Sequence, residues 1–202
     1  MIGRVNDVEL YRELIRRGVS EYLVAPVSPL HMIEVISGIY LAPDAQPVGR
    51  IVSFVGARGG VGSSTIAHNV GWMIAERMRI NTTIVDLDLP FGTAGLDFNE
   101  ESGQGVAEAL TAPERLDDVL LDRLLLKTGE HLSLFTAPAL IDRHYEAEPS
   151  AYEAVLDAVR QISPCVIVDV PHMWTPWVKQ TLLSADEIII VAVPDLASSR
   201  NT

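Results

Sequence analysis

The strongest constraint on the fold is the stretch RIVSFVGARGGVGSSTI, Arg50 to Ile66. A β-branched and aromatic run, Ile51 to Val55, reads as a strand and leads into Gly56-Ala57-Arg58-Gly59-Gly60-Val61-Gly62-Ser63-Ser64-Thr65. A helix-period segment follows to about Met78, with Ile66, Val70, Met73, Ile74 and Arg77 on a common side. Strand, glycine-rich turn and helix, in that order, is the setting in which a loop can wrap a phosphate. Glycines let the backbone approach closely and turn its N–H groups inward, and the helix start adds partial positive charge. A tight turn that needs glycine only for its geometry is the competing explanation. Three glycines within four residues, Gly59 to Gly62, followed by Ser-Ser-Thr and a helix, favour phosphate.

The loop departs from the G-x-x-x-x-G-K-[ST] phosphate pattern at a chemically important position. Ala57 takes the first glycine's place and Gly62 the second, Ser63 stands where the lysine belongs, and Ser64 supplies the magnesium-binding hydroxyl. Without that lysine a fixed positive charge is missing from the β- and γ-phosphates. Backbone amides can still hold a nucleotide, but transition-state charge is poorly countered. Binding is therefore expected, with hydrolysis weak or absent.

Composition bounds the rest. A chain of 202 residues with 48% hydrophobic and 21% charged residues is globular and long enough for a core. A formal net charge of −12 argues against a general nucleic-acid binder. A single cysteine, Cys165, excludes an intramolecular disulfide framework and reads as core packing. The chain has no apolar run of membrane-span length and no signal-peptide pattern, so a reducing cytoplasm is the expected compartment.

Residues 1–45 read as a small β-α-β-α unit. Its strands are Ile2–Val5 and Glu21–Ala25; its helices are Val8–Arg17, capped by Asn6 and Asp7, and a second from Pro29 to about Ile39 with Met32, Ile33, Val35 and Ile36 as its apolar side. Ala42 to Gly49 reads as a linker before the main domain, residues 46–202. There, Thr83–Leu87 is a buried strand ending at Asp86, with Asp88 two residues on. A carboxylate where a parallel strand leaves the sheet faces the ligand crevice; the pair would share one side on a continuing strand, holding magnesium waters or an attacking water. Residues 89–104 suggest a mobile loop, and 106–110 and 116–126 are helical, with Glu114, Asp117, Asp118 and Asp122 as a solvated exterior. A strand at 131–135 precedes a polar loop with His144 and Tyr145, read as surface. Helix 151–161 places Val155, Val159 and Ile162 inward and delivers strand 165–170, whose Asp169 matches the second acidic strand of a nucleoside-triphosphate site. Trp174 and Trp177 read as local packing, Ile188–Val193 as the most apolar strand, and a last helix starts at Leu196.

Two resemblances rest on these residues. LYRELIRRGVSEYLVAPVSPLHM resembles the closing half of a response-regulator receiver domain, with Ala25 at the position of that pattern's lysine; it implies an interaction surface without phosphorylation. ARGGVGSST, IVDLDLPFGT, VIVDVP and ADEIIIVAVPDLASSRN, in that order, resemble the deviant Walker ATPases of the MinD and ParA group, nearest to its CpaE (TadZ) pilus-assembly branch. The resemblance implies an α/β fold, a mainly parallel P-loop NTPase sheet flanked by helices. It also implies ATP with Mg2+, a nucleotide-bound homodimer, and a role in localising the Flp/Tad pilus secretion machinery at a cell pole.

Residue by residue, it assigns the signature lysine that reaches a partner's phosphates to Arg58, where arginine keeps the charge and fork-like donors. Gly59, Gly60, Val61, Gly62 and Ser63 form the cradle. Ser64 maps to the magnesium ligand, Thr65 to a phosphate contact, Asp86 and Asp169 to the metal shell, and Asp88 to the group that orients water. Base-recognition residues and a membrane-targeting helix are expected beyond Thr202, in a chain truncated at its C-terminus, with edge strands missing and an exposed sheet edge open to association. The competing functions are an active ATPase switch with Arg58 in the lysine's role, and a nucleotide-free interaction scaffold.

Overall fold

The computed structural model describes residues 1–5, 7–40, 48–101, 103, 105–138 and 147–202. The chain divides into two compact units, Met1–Pro47 and Val48–Thr202. The expected linker falls largely on 41–47, and His144 and Tyr145 on 139–146, outside the described residues.

The first unit runs β1 (Ile2–Gly3), α1 (Val8–Arg16), β2 (Leu23–Val24) and α2 (Pro29–Tyr40), with β1 and β2 paired in parallel. Asp7 caps α1 by accepting from the amides of Glu9 and Leu10. Tyr22 is buried, and its hydroxyl donates to the Val5 carbonyl at 3.0 Å. The strands are shorter than expected and α1 buries none of its residues. Ile33, expected on the apolar side of α2, is exposed.

The second unit carries the site. Its elements in order are β3 (Arg50–Gly56), α3 (Ser63–Met78), β4 (Thr82–Asp86), α4 (Ala94–Asp97), α5 (Gly105–Thr111), a 3-10 turn (Pro113–Arg115) and α6 (Asp118–Leu124). Then come β5 (Leu126–Lys127), β6 (Leu132–Phe135), α7 (Pro149–Ile162), β7 (Cys165–Val170), α8 (Pro176–Ser184), β8 (Glu187–Val191) and α9 (Leu196–Asn201). One sheet has the order β5-β6-β4-β7-β3-β8, parallel throughout except for the short β5 at one edge. The expected α/β class with a mainly parallel sheet flanked by helices is what the chain adopts.

Helices cover both faces, so the central strands are apolar on successive residues rather than alternately. Phe54, Ile84, Leu134 and Ile167 pack on the α3 side with Ala67 and Ala75. Ile51, Val85, Val166 and Val168 face the other layer, where Tyr152, Val155, Leu156 and Val159 of α7 and Leu121 of α6 close the core. Each fully buried aliphatic side chain contributes about 1.5–3 kcal/mol by leaving water.

α3 seats itself on a face turned partly away from the expected one. Val70 and Ile74 of the expected side pack partly buried against this core, but Ile66 is exposed and Met73 53% exposed, while Ala67, His68, Gly71 and Ala75 are buried. Small residues four apart form a flat stripe that lets the helix axis approach the sheet closely. A Cβ on Gly71 would lie 2.7 Å from Ile84 Cγ1.

Four other expectations are corrected. The helix expected over 116–126 is shorter, and its end becomes β5. Within the expected mobile loop over 89–104, the described residues 89–101 are anchored, because Leu89 and Ala94 are buried and α4 forms among them. Ile162, expected inward, is exposed, since α7 ends there as the chain turns into β7. The strand expected over Ile188–Val193 forms as Glu187–Val191, ending two residues earlier. It lies at the sheet edge with Ile188 and Ile190 47% and 45% exposed.

The stripe on α3 makes a prediction. Gly71→Val should destabilise the unit by about 2 kcal/mol in urea unfolding, because the added methyls meet Ile84. Met73→Ala should stay within about 0.5 kcal/mol of the parent protein. The reverse order would mean that the helix packs through its large residues.

Candidate nucleotide site

Every part of the site lies at the carboxyl edge of three neighbouring strands, β3, β7 and β4. In parallel α/β sheets this edge, where successive crossovers diverge, is where ligands bind. β3 ends at Gly56 and the chain turns through Ala57 to Gly62 into α3. Gly60 and Gly62 have φ of +77° and +88°, a conformation that disfavours side chains. A Cβ on Gly59, Gly60 or Gly62 would meet no atom within 4 Å, so the loop is open rather than collapsed on itself. Gly62 is the N-cap of α3 and no side chain caps that terminus. The first-turn N–H groups are thus left for water or an anion.

The Ser63 hydroxyl is buried and has no hydrogen-bond partner among the described residues. An uncapped helix start, an orphaned hydroxyl and two left-handed glycines together form a neutral donor set. Such a set fits a phosphate without a lysine. Ser64 is half-buried and Thr65 exposed on the same turn.

Two carboxylates stand beside this loop. Asp86 ends β4, and Asp169 is its register partner on β7, both almost wholly buried. Burial and the neighbouring Asp169 push the Asp86 carboxyl up to about 6, while the amides of Ala94 and Asp88 oppose the rise. Since the folded value lies above the unfolded one, the stability linked to Asp86 is present below about pH 3.8 and lost as pH rises through about 6. At neutral pH its charge is therefore a local cost that a nearby cation would offset.

Asp86 also organises the chain that follows. Its Oδ1 accepts from Asp88 N at 3.1 Å and its Oδ2 from Ala94 N at 3.1 Å. The strand stops at Asp86, so Asp88 is not its neighbour on a continuing strand as the spacing suggested. Asp88 is half-buried and accepts from Phe91 N at 3.1 Å, and burial raises its carboxyl above the ordinary value. Among the described residues no three His, Cys, Asp or Glu side chains converge as a ready metal cage. A magnesium ion here would depend on Ser64, phosphate oxygens and water, with Asp86 and Asp169 acting from its outer shell.

Arg58 points along its own chain. Its Nε donates to Asp195 Oδ2 at 2.9 Å and its Nη1 to the Gly59 carbonyl at 3.0 Å. Asp195 caps α9 through Ser198 N, and this amide, followed by Arg58, holds its carboxyl below the usual range. Asn201 Nδ2 donates to the Ala57 carbonyl at 2.8 Å, so α9 braces the loop from outside. Against Gly56 and Ala57 lies a cavity of about 600 Å3, lined by Trp174, Leu183, Ile188 and Ile190. Trp174 is 76% exposed, contrary to the expected local packing, whereas Trp177 stacks on Tyr152 at 4.3 Å.

The residue missing from the sequence reading is His68. It lies one helical turn beyond Ser64, with Nδ1 2.6 Å from Asp97 Oδ2 and Nε2 3.5 Å from Asp169 Oδ2. Burial lowers its proton affinity, but Asp169 and Asp97 outweigh that and raise it above the ordinary histidine value. The signal was available: a polar residue within the small-residue face of Ala67, Gly71 and Ala75 needs a buried partner. Asp97 and Asp195 carried no such signal.

Residues 50–200 match the family model described as "Cellulose biosynthesis protein BcsQ". The septum site-determining protein MinD of Synechocystis is 26% identical over 156 residues, covering 76% of this chain and 57% of that protein. The ParA family ATPase of Chlorobium tepidum has a TM-score of 0.68 and 29% identity, covering 75% of this chain and 64% of that one. MinD of Pyrococcus horikoshii, solved with Mg-ADP, has a TM-score of 0.64 at 20% identity, covering 76% of this chain and 62% of that one. The chain spans little more than half the length of the Synechocystis relative. With its phosphate-loop fold and these matches, the chain belongs to the BcsQ family, within the MinD and ParA group of P-loop ATPases.

Proposed function

We propose that the chain is an ATP-binding positioning protein, weakly hydrolytic or inactive, that uses nucleotide with Mg2+ to control association with a second copy. The observation that carries this reading is the open loop 58–65, where left-handed glycines and an uncapped helix start leave main-chain N–H groups for an anion. Main-chain amides hold most of the phosphate in this scheme, and Mg2+ when bound would neutralise part of its charge beside Asp86 and Asp169. With serine in place of lysine, charge developing on the transferred phosphoryl group is poorly countered. Asp88 is the residue to orient water in whatever slow turnover remains. Arg58 must leave Asp195 to reach a partner, and a half-exposed ion pair of this kind costs little to break.

The machinery served is a secretion assembly in the cytoplasm at a cell pole. The four motif blocks and the receiver-like stretch of residues 1–45 support the Flp/Tad pilus apparatus. The match over 50–200 favours a second reading, a part in cellulose biosynthesis. Among the described residues no helix is long and apolar enough to cross a membrane. The net charge of −12 supports a protein rather than a nucleic-acid partner. Deleting the protein from its cell and counting surface pili against cellulose separates the two readings: loss of pili with cellulose intact supports the first.

Three outcomes are expected in vitro. In equilibrium titration with fluorescent ATP and Mg2+, Ser63→Ala should stay within about twofold of the parent, while Gly62→Val should abolish binding, since φ there excludes a branched side chain. Equal losses, or no saturable binding by the folded parent, would leave a nucleotide-independent scaffold. Arg58→Ala should keep ATP binding but lose ATP-dependent dimers in sedimentation; dimers that persist would remove Arg58 from the interface. Phosphate release should be slow, and Asp88→Ala should remove what there is; brisk turnover would restore the active-switch reading.

A further inference from the structure

His68 is a buried side chain that the phosphate loop does not use. It is 3% exposed on α3, and its two ring nitrogens face carboxylates on different elements. Nδ1 lies 2.6 Å from Asp97, the last residue of α4, whose Oδ2 also accepts from Thr93 Oγ1 at 3.3 Å. Nε2 lies 3.5 Å from Asp169 on β7, within ion-pair reach but too long for a hydrogen bond, and has no hydrogen-bond partner among the described residues. At the other end of the segment, Ala94 N donates to Asp86. Residues 88–97 are therefore tied to both buried carboxylates, directly to Asp86 and through the imidazole to Asp169.

A histidine that merely filled space would need one hydrogen bond and no particular second neighbour. Here the ring spans the gap between a strand-end carboxylate and the segment that carries Asp88, with Phe98 tilted against it at 6.1 Å. We propose that His68 is a positioning residue, which fixes the Asp169 carboxylate for Mg2+ and seats residues 88–97 through Asp97. The inference rests on the nucleotide reading above, since it gives Asp169 a cation to serve. Removing a group that orients a direct metal ligand shifts affinity about ten- to a hundredfold, and through an outer-shell carboxylate the effect is smaller.

Single substitutions separate the two contacts. The amide of His68→Gln replaces Nε2 and reaches Asp169, that of His68→Asn replaces Nδ1 and reaches Asp97, and His68→Leu fills the space without donating. The measurement is Mg2+ titration of each folded protein in the presence of fluorescent ATP, beside ATP binding in EDTA and hydrogen exchange over 88–101. His68→Leu should weaken Mg2+ several-fold and speed exchange, with metal-free ATP binding within about twofold. His68→Gln should recover the Mg2+ affinity, and His68→Asn the slow exchange. Asp97→Ala changes a side chain that is 46% exposed, so it keeps the inference testable if His68→Leu does not fold; it should speed exchange and weaken Mg2+ several-fold. If the parent binds Mg2+ and ATP but His68→Leu and Asp97→Ala leave Mg2+ affinity unchanged, the positioning role is wrong while the nucleotide reading stands. If the parent shows no Mg2+-dependent ATP binding, both fall together.

Discussion

The site depends on how closely α3 lies against the sheet. Ala67, Gly71 and Ala75 bring the helix within contact of Ile84 and Ile167, and no larger stripe would allow that approach. Because the helix begins directly after the glycine turn, its depth decides where its first-turn amides point. They lie just past the carboxyl end of β3, whose neighbour β7 carries Asp169. A helix riding higher on large side chains would carry the same loop sequence away from that aspartate. Local loop chemistry and distant core packing are thus one requirement.

A second constraint is electrostatic. Asp86 and Asp169 share a register position in the interior, and burial makes their charges costly. The protein answers with directed amides from Asp88 and Ala94, and with His68 held on the opposite side by Asp97. These contacts also fix the segment after β4. The region expected to be mobile is therefore tied down by the same groups that would attend a metal. A buried acidic pair that were merely structural would be easier to replace by a neutral one.

The far edge of the sheet follows different rules. β8 is strongly apolar, yet Ile188, Ile189 and Ile190 are exposed and its outer ladder edge is unpaired in this sheet. Flanking it, Trp174 and Leu183 line the cavity that reaches Gly56 and Ala57. Hydrophobic runs identify strands well, but they carry no information about which neighbour covers them. The apolar run EIIIV marked a strand, and sheet order alone placed it at a margin.

The sequence by itself determined the α/β class, the strand-turn-helix around Gly56 to Thr65 and the two strands ending near Asp86 and Asp169. Those features are written in short-range terms: β-branched runs, positive-φ glycines and the position of an acidic residue at the end of an apolar run. Only the tertiary structure decided that α3 buries its small face, that β4 stops at Asp86 so Asp88 turns away, that Arg58 rests on Asp195, and that His68 bridges Asp97 and Asp169. Each of these joins residues brought together by packing rather than by spacing along the chain. Helical period marks a face without saying which neighbour it meets, and an ion pair between α3 and β7 exists only once the sheet has set their distance.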